Sequence, residues 1–451
     1  MGSSVSSVRS REASPRLLGR EEPRIFTPPL RRLTSRTSRG FECIAFAEEV
    51  LGIMLVPWQK WLLIHALEIH DDGTFRFRTV VLLVARQNGK STLMQVLSLW
   101  RMYVDAAPLV IGTAQNLDIA EEVWQGAVDM AEEIPELAAE LDQVFKQPGK
   151  KFFKLTSGSR YKVQAASRRG GRGLSGDLVI LDELREHQSW EAWSAVTNTT
   201  MAREFAQVWA ASNAGDSTSV VLAYLRAQAH LALGDPDGIN GGAEPTEDAP
   251  ETSLGIFEWS ATPGISIWDR DGWLQANPSY GHTALGERAM IAAAAAPEND
   301  FRTENLCQWV LSMREGAFPA GVWETNRVSA DVRIEGKPVV AVDVRAGMQQ
   351  SVSIVVAGGT DQGFDLVHVA RYELGVGEQW AQDFVVKEVA AILEQHDLNS
   401  VVVDKFGANA HLIPLFEAAG IDVIALDTTD MRNAAVGISD GVINGRIKHH
   451  S

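Results

Sequence analysis

The sequence predicts an α/β protein of two successive units, each built on a sheet with parallel central strands. Two short apolar runs, residues 80–84 and 178–181, have strand length and end abruptly in polar residues. The first is followed at once by helical spacing of Leu93, Val96, Leu97 and Trp100. From Lys337 the pattern changes to three strands and then alternating helix and strand. A length of 451 residues suits two or three domains.

Whole-chain balance narrows the classes. Apolar residues make up 45% of the chain, enough for sizeable cores. Cys43 and Cys307 lie far apart without Cys or His partners at metal-ligand spacing. Neither a zinc site nor a disulfide framework is indicated, which fits a reducing compartment. No run of 18 apolar residues occurs, so no membrane span is expected, and the N-terminus lacks a secretory signal's apolar core. A net charge of −17 argues against gripping DNA with the whole surface and leaves room for a local or transient groove. Residues 1–40 hold nine arginines, no lysine and three glutamates among many Ser and Pro. They read as a flexible Arg-rich arm, either contacting nucleic acid or a partner, or simply solvated.

Residues 41–232 are expected to form the first unit. Helical spacing over 41–70, broken between Gly52 and Pro57, predicts two helices. Gln59 stands in the second, just upstream of the loop described next. Its amide can bind an adenine edge with Trp58 packed nearby, or it is a surface glutamine. Strand 80–84 then runs into Ala85-Arg86-Gln87-Asn88-Gly89-Lys90-Ser91-Thr92 and a helix. Strand, Gly-Lys-Ser turn and helix form a phosphate-binding loop, or Walker A arrangement. Backbone N–H groups of the turn and helix start would face a polyphosphate, so Gln87, Asn88, Gly89 and Thr92 are candidate nucleotide contacts. Lys90 would reach the β and γ oxygens of ATP and Ser91 would hold Mg²⁺. The pattern departs from the usual one in having Val84 where its first glycine stands, and Arg86 inside the loop.

Residues 109–115 read as a second buried strand, 116–133 as a helix, and 152–166 as a hairpin turning at Ser157-Gly-Ser159. The stretch 166–177 sets Arg168, Arg169 and Arg172 among glycines, a basic loop suited to phosphate or DNA backbone or merely solvated. The run 178–181 then presents Asp182 and Glu183. An Asp at a buried strand's end can bind the nucleotide's Mg²⁺, and a Glu beside it can act as general base on the attacking water. Both strand ends would face one crevice of a parallel sheet. Together with Lys90 they point to ATP hydrolysis by a P-loop NTPase domain. A helix over 190–203 and a strand over 207–215 follow. Ser212 and Asn213 at that strand's end can sense the γ-phosphate, or form an ordinary turn.

Residues 233–253 are acidic and rich in Gly and Pro, as in a loop or linker. Residues 254–314 read as a small subdomain covering the nucleotide, and 315–336 as a junction. Over 337–451 the order is strand (338–343), strand (351–357), strand (364–373), helix (378–396), strand (400–404), helix (409–420), strand (423–426), helix (431–446). That is the order of a ribonuclease-H-like fold, whose first and fourth strands are neighbours. Asp343 and Asp404 would then be adjacent and able to bridge Mg²⁺ or Mn²⁺ for phosphodiester hydrolysis.

Several of these stretches match one family. Pro57-Trp58-Gln59, the loop 85–92, Arg172-Gly-Leu-Ser175 ahead of Ile180-Leu-Asp-Glu183, Ala211-Ser-Asn-Ala214 and Val401-Val-Val-Asp404 resemble the large terminase subunit of tailed double-stranded DNA phages. The likeness covers about residues 27–449. It implies ATP–Mg²⁺ on Lys90, Ser91 and Asp182, with Glu183 as catalytic base. It further implies Ser212-Asn213 as coupling motif, Gln59 in the adenine pocket and Arg86 near the γ-phosphate. Double-stranded DNA, a small terminase subunit and a portal protein are the implied partners. A homo-oligomeric ring on the procapsid and the host cytoplasm are the implied assembly and location. The family's third nuclease acid falls in a helical segment beyond a His such as His449. The chain stops at Ser451, so the nuclease domain is expected to be C-terminally incomplete, with Asp440 as a fallback ligand and His449-His450 as a frayed tail. A helicase-type ATPase with a non-catalytic binding module, and a structural component with a vestigial nuclease, are the competing readings.

Overall fold

A computed structural model of the chain describes residues 17–114, 116–147, 150–164, 175–240, 253–310, 322–329, 331–345, 351–373, 382–407 and 409–450. These fall into two compact units, residues 1–313 and 314–451. Among the described residues no helix is long and apolar enough to cross a membrane.

The first unit is a single sheet. Its strands in chain order are β1 (Ile25–Phe26), β2 (Thr79–Val84), β3 (Leu109–Ala114), β4 (Leu141–Gln147), β5 (Lys150–Leu155), β6 (Arg160–Val163), β7 (Leu178–Asp182), β8 (Gln207–Ser212) and β9 (Leu254–Trp259). Their order across the sheet is β1-β9-β2-β8-β7-β3-β6-β5-β4. The run from β9 to β6 is parallel, and β1, β5 and β4 pair antiparallel at the margins. Strand alternation explains the continuous apolar runs. Val80, Leu82 and Val84 enter a core on one face with Trp58, Trp100, Trp124 and Trp209. Val81 and Leu83 enter a core on the other face with Trp193, Trp273 and Phe301. With both faces covered every position is apolar, and each fully buried Val or Leu contributes about 1.5–3 kcal/mol.

Two expectations about this unit change. Residues 254–259 are not part of a separate covering subdomain: β9 pairs with β2 along its whole length, beside the strand that carries the phosphate loop. The apolar run at 255–257 is that of an internal strand, with Gly255, Ile256 and Phe257 buried. The helix expected over 190–203 ends at Thr197 and tightens into one 3₁₀ turn, Asn198–Thr200.

The second unit contains β10 (Val339–Arg345), β11 (Ser351–Gly359), β12 (Asp365–Glu373), β13 (Ser400–Asp404), β14 (Asp422–Leu426) and β15 (Ile447–His449). They lie in the order β14-β13-β10-β11-β12-β15. The first and fourth strands are neighbours and parallel, with Val342 opposite Val403. Val385, Val389 and Leu393 of the helix Gln382–Gln395 pack with Val340, Val342, Val401 and Val403. The tail is not frayed. β15 joins β12 in parallel, and the buried His449 stacks on Trp323 with ring centroids 4.0 Å apart. Asn326 donates to the Val442 carbonyl, so residues 322–328 are built into this unit rather than forming a connector.

The N-terminal segment is docked from residue 17 onward, not flexible throughout 1–40. β1 pairs with β9, and Arg24 reaches a buried ion cluster beneath it. Arg24 donates to both oxygens of Asp237, at 2.6 and 2.9 Å. Arg226 donates to both oxygens of Glu258, at 2.8 and 2.9 Å, and to Asp237 at 2.8 Å. His230 and Ser260 complete the shell of Glu258 at 3.1 and 2.7 Å. Asp237 belongs to the stretch expected as a loose acidic loop, and the cluster anchors it; residues 241–252 lie outside the described chain. Among the described residues, His230, Asp237 and Glu258 are the one trio spaced to hold a cation. Two guanidiniums already occupy its carboxylates, which makes it an ion-pair cluster. Burial alone would raise the Glu258 carboxyl's pKa, but the His230 and Arg226 contacts outweigh burial and hold it well below the usual range. Eleven of the 13 tryptophans lie in this unit, so tryptophan fluorescence reports its unfolding. Glu258→Gln is expected to cost about 3–5 kcal/mol in urea unfolding at neutral pH. A free glutamate titrates near ~4.3, and the folded carboxyl titrates lower. The wild type therefore keeps this contribution above that pH and loses it as pH falls further, whereas the variant lacks that acid-side slope.

Candidate nucleotide and metal sites

The phosphate loop hangs between the end of β2 and the helix Lys90–Tyr103. Gly89 has a φ of 90°, the left-handed region, and a Cβ there would stand 3.0 Å from Gln59 Nε2, so a glycine is required. Gln87 takes the same region at φ 63°, as does Glu183 at φ 54°. Such non-glycine conformations cost on the order of 1–3 kcal/mol each and persist where surroundings enforce them.

Those surroundings are visible. Asn88 is buried and donates to the carbonyls of Ala85 and Arg86 and to Asn277 Oδ1. Its own Oδ1 accepts from Ser279 N at 3.0 Å, and Ser279 Oγ donates to the Asn88 carbonyl at 2.8 Å. The Trp58 indole donates to Ser279 Oγ at 2.8 Å. Asn277 and Ser279 therefore brace the loop from outside it. Asn277-Pro-Ser279 carries no motif, and nothing local reveals a bond across about 190 residues.

Lys90 Nζ donates to the carbonyls of Val84 and Ala85, at 2.9 and 3.2 Å. Ser91 is exposed on the first helical turn and Thr92 lines a cleft beside the loop. Asp182 ends β7, and its Oδ1 accepts from the Glu183 N–H at 2.9 Å. Burial pulls the Lys90 ammonium's pKa down and pushes the Asp182 carboxyl's up, each opposed by the other's charge. The two charges therefore stabilise one another at the sheet end. β8 lies between β2 and β7, with Ser212 in register with Leu83. Ser212 Oγ accepts from the Arg185 N–H at 3.1 Å, and Asn213 Nδ2 donates to the Thr303 carbonyl at 3.3 Å. Asn213 Oδ1 is buried without a hydrogen-bond partner. The hydroxyl and carboxylate oxygens of Ser91 and Asp182 are the hard ligands Mg²⁺ takes, and the Lys90 ammonium suits phosphate.

Glu183 is not free-standing. Arg185 Nε lies 3.3 Å from Glu183 Oε2 and 3.1 Å from Glu186, while its Nη1 is 2.7 Å from Glu304 Oε1. Arg86 Nε pairs with Glu304 Oε2 at 3.0 Å, and the Arg86 N–H donates to the Glu304 carbonyl at 2.8 Å. Sequence reasoning misses Glu304, since one acid near the end of a helix carries no motif. Arg168, Arg169 and Arg172 lie outside the described residues.

A cleft of 600 Å³ opens beside the loop, lined among others by Val56, Gln59, Gly89, Thr92, Ser279 and Leu285. Gln59 is at its wall, with its amide engaged by the protein itself. Oε1 accepts from the Val56 N–H at 3.1 Å and Nε2 donates to the Gly89 carbonyl at 3.0 Å. One N–H and one lone pair remain for a base edge.

In the second unit Asp343 and Asp404 stand on neighbouring strands, one position past the Val342–Val403 pair; Asp404 ends β13, whereas β10 runs two residues beyond Asp343, past the end expected for it at 343. Asn409 joins them. Its Nδ2 donates to Asp343 Oδ1 at 2.8 Å and to Asp404 Oδ2 at 3.1 Å, while its Oδ1 accepts from the Val344 N–H at 2.6 Å. Asn409 is buried, and the Phe406 N–H holds the other Asp404 oxygen at 2.8 Å. Two carboxylates held side by side form an all-oxygen set suited to Mg²⁺ or Mn²⁺. Asp440 does not join them. It pairs with Arg446 and accepts from Asn444 at 2.7 Å. Its helix, Thr428–Ile443, follows the edge strand β14, two strands from β10. Asn409 escapes a reading of the sequence because an amide five residues after an acid has no recognisable spacing.

Gln59→Ala removes one hydrogen bond to the phosphate loop and one that caps its own helix, each worth about 0.5–1.5 kcal/mol. Its stability is expected to drop by about 1–3 kcal/mol, read as a lowered thermal unfolding midpoint. An unchanged midpoint would mean the brace is redundant.

No family model matches the chain, and no curated protein matches it. Solved structures do. The crystal structure of the HK97 bacteriophage large terminase overlaps with a TM-score of 0.54 at 23% identity, covering 91% of this chain and 90% of that one. The large terminase of a thermophilic bacteriophage, solved in complex with ADP, overlaps at 0.34 and 13% identity, covering 83% of both chains. The ATPase domain of the Thermus phage P74-26 large terminase overlaps at 0.41 and 18% identity, covering 58% of this chain and 97% of that one. The overlap with the HK97 protein extends through both units, and the chain has the fold of a phage large terminase: a P-loop-type parallel sheet followed by a ribonuclease-H-like sheet.

Proposed function

We propose that this chain is a terminase large subunit, an ATP-driven motor that moves double-stranded DNA into a procapsid and a metal-dependent endonuclease that cuts the concatemer. The observation that carries this reading is the combination of two sites in one chain. Lys90 and Asp182-Glu183 lie at the ends of β2 and β7 with Ser212 on the strand between, and Asp343 and Asp404 are tied together by Asn409 in the second unit.

In this reading Lys90 leaves the loop carbonyls for the β and γ oxygens of ATP. Ser91 and Asp182 would hold Mg²⁺, which when bound would supply positive charge beside those oxygens. Glu183 takes a proton from the attacking water. Arg86, at the mouth of the loop, adds transition-state charge stabilisation, a contribution of roughly 10³–10⁵ in rate where an arginine acts this way. Ser212 and Asn213, bonded to Arg185 and to the Thr303 carbonyl, pass the loss of the γ-phosphate to neighbouring segments. Asp343 and Asp404 hold the divalent ions, Mg²⁺ or Mn²⁺, for in-line hydrolysis of the phosphodiester. A small terminase subunit would deliver the DNA, the portal would receive the motor as a ring, and the host cytoplasm is where both would meet. A surface with net charge −17 fits a motor that holds DNA transiently and locally.

Glu183→Ala is expected to bind ATP normally in equilibrium titration and to lose turnover by about 10²–10⁴-fold, with retained turnover removing Glu183 as the base. Nicking of supercoiled plasmid in Mn²⁺ should disappear in Asp343→Ala and in Asp404→Ala. Asn409→Ala is expected to bind Mn²⁺ about 10–100-fold more weakly by calorimetry. Wild-type protein that hydrolyses ATP and nicks no DNA would favour a helicase-type ATPase with a non-catalytic second domain.

A further inference from the structure

We propose that Glu304 is a positioning residue of the ATPase centre, keeping Arg185 from closing in a two-pronged fork on the carboxylate of Glu183 and holding Arg86 at the mouth of the phosphate loop. The inference rests on the ATPase reading of that site and assigns a residue that no motif contains.

The argument begins with how Arg185 is shared. Its shortest contact is Nη1 to Glu304 Oε1 at 2.7 Å, while Nε lies 3.3 Å from Glu183 and 3.1 Å from Glu186 without a hydrogen bond to either. Arg185 lies two residues beyond Glu183 and one before Glu186, so both acids are always within reach. A guanidinium pairs most strongly with a carboxylate when two parallel N–H groups meet two oxygens. Without an opposing acid, Arg185 would close on Glu183 in that fork and cover the oxygens that must face water. Glu304 supplies the opposing acid. Its second oxygen is 3.0 Å from Arg86 Nε, so one carboxylate sets both guanidiniums at opposite sides of the site.

Glu304 is itself held in place. Its carbonyl accepts the Arg86 N–H at 2.8 Å. The carbonyls on either side accept from Asn213 (on Thr303, 3.3 Å) and from Asn277 (on Asn305, 2.8 Å), and that of Leu306 accepts the Ala261 N–H at 2.9 Å. One short segment therefore touches the phosphate loop, the end of β8, the end of β9 and the Asn277 brace. Side chains of Glu304 and Arg185 are 19% and 16% exposed, so their pairing is not a solvated surface contact of little consequence.

The test uses the full chain and three measurements on each variant: steady-state ATP turnover, affinity for a fluorescent non-hydrolysable ATP analogue, and thermal unfolding. Glu304→Gln keeps the shape and removes the charge. Its kcat is expected to fall about 10- to 100-fold, as a small misplacement of catalytic groups does. Analogue affinity should stay within about threefold of wild type, since ground-state binding is not what is lost. Adding Arg185→Ala to Glu304→Gln is expected to restore part of the turnover, because the arginine that closes on Glu183 is then gone. A merely structural salt bridge predicts the opposite, a double variant at least as impaired as the single one. If Glu304→Gln unfolds at the assay temperature, Glu304→Asp, one methylene shorter, carries the test: lost kcat with retained affinity supports the assignment, and wild-type kcat overturns it. Wild-type turnover in a folded Glu304→Gln overturns the role of Glu304 alone. Absent turnover in the wild-type chain overturns the ATPase reading and this inference together.

Discussion

The candidate nucleotide site depends on one constraint: a strand buried on both faces holds a charged side chain only where that charge is paired, as Glu258 is in β9, and other polar groups collect at its end. Strands β2, β7 and β8 have apolar residues on both faces, divided between two cores. Their first polar groups, at the loop after Val84, at Asp182 and at Ser212, therefore collect along one edge of the sheet. In the second unit β10 and β13 bury one face in a core, and Asp343 and Asp404, which follow matched valines, lie on the other, less buried face. In the first unit, burial of the strands concentrates charge at that edge. The opposed pKa shifts of Lys90 and Asp182 record the result, two charges brought together where water is scarce.

Placing charges at a sheet edge does not orient them. That is done by segments remote in sequence. Asn277 and Ser279 grip Asn88, and the segment around Glu304 meets Arg86, Arg185 and Asn213. Residues 254–306 thus serve partly as sheet and partly as the outer wall of the phosphate loop. In the second unit a single buried amide, Asn409, does comparable work by donating to both acids. Neutral donors suit this task, because they hold two carboxylates together without displacing the cation the carboxylates would bind.

The chain's ends show a related economy. The N-terminal segment adds one short strand to the margin of the first sheet, and Arg24 secures it in the ion cluster of Asp237, Glu258 and Arg226. The C-terminal tail adds β15 to the margin of the second sheet, with His449 packed on Trp323. Each covers part of a sheet edge with a strand of only two or three residues, leaving a short new edge.

Local chemistry made much of this legible. Apolar runs of strand length, the Gly-Lys-Ser turn after one and the paired acids after another are short-range patterns, and residues 78–92 and 178–183 are readable from them alone. The succession of strands and helices in the second unit is readable too as far as the helix after β14, because helix and strand periods differ, whereas β15 is not. What lies beyond such patterns is every bond between distant residues: β9 as a neighbour of β2, the docked arginine of the N-terminus, Asn277 on Asn88, Glu304 on two arginines, Asn409 on two aspartates. Asparagine, glutamate and arginine look alike on any surface, and their partners are set by how the sheet folds. Residue order therefore reveals which groups are candidates for the chemistry, since short apolar runs lead into them. Which residues hold those groups in place emerges only when the chain is folded, because a side-chain hydrogen bond depends on distance in space and leaves no period along the chain.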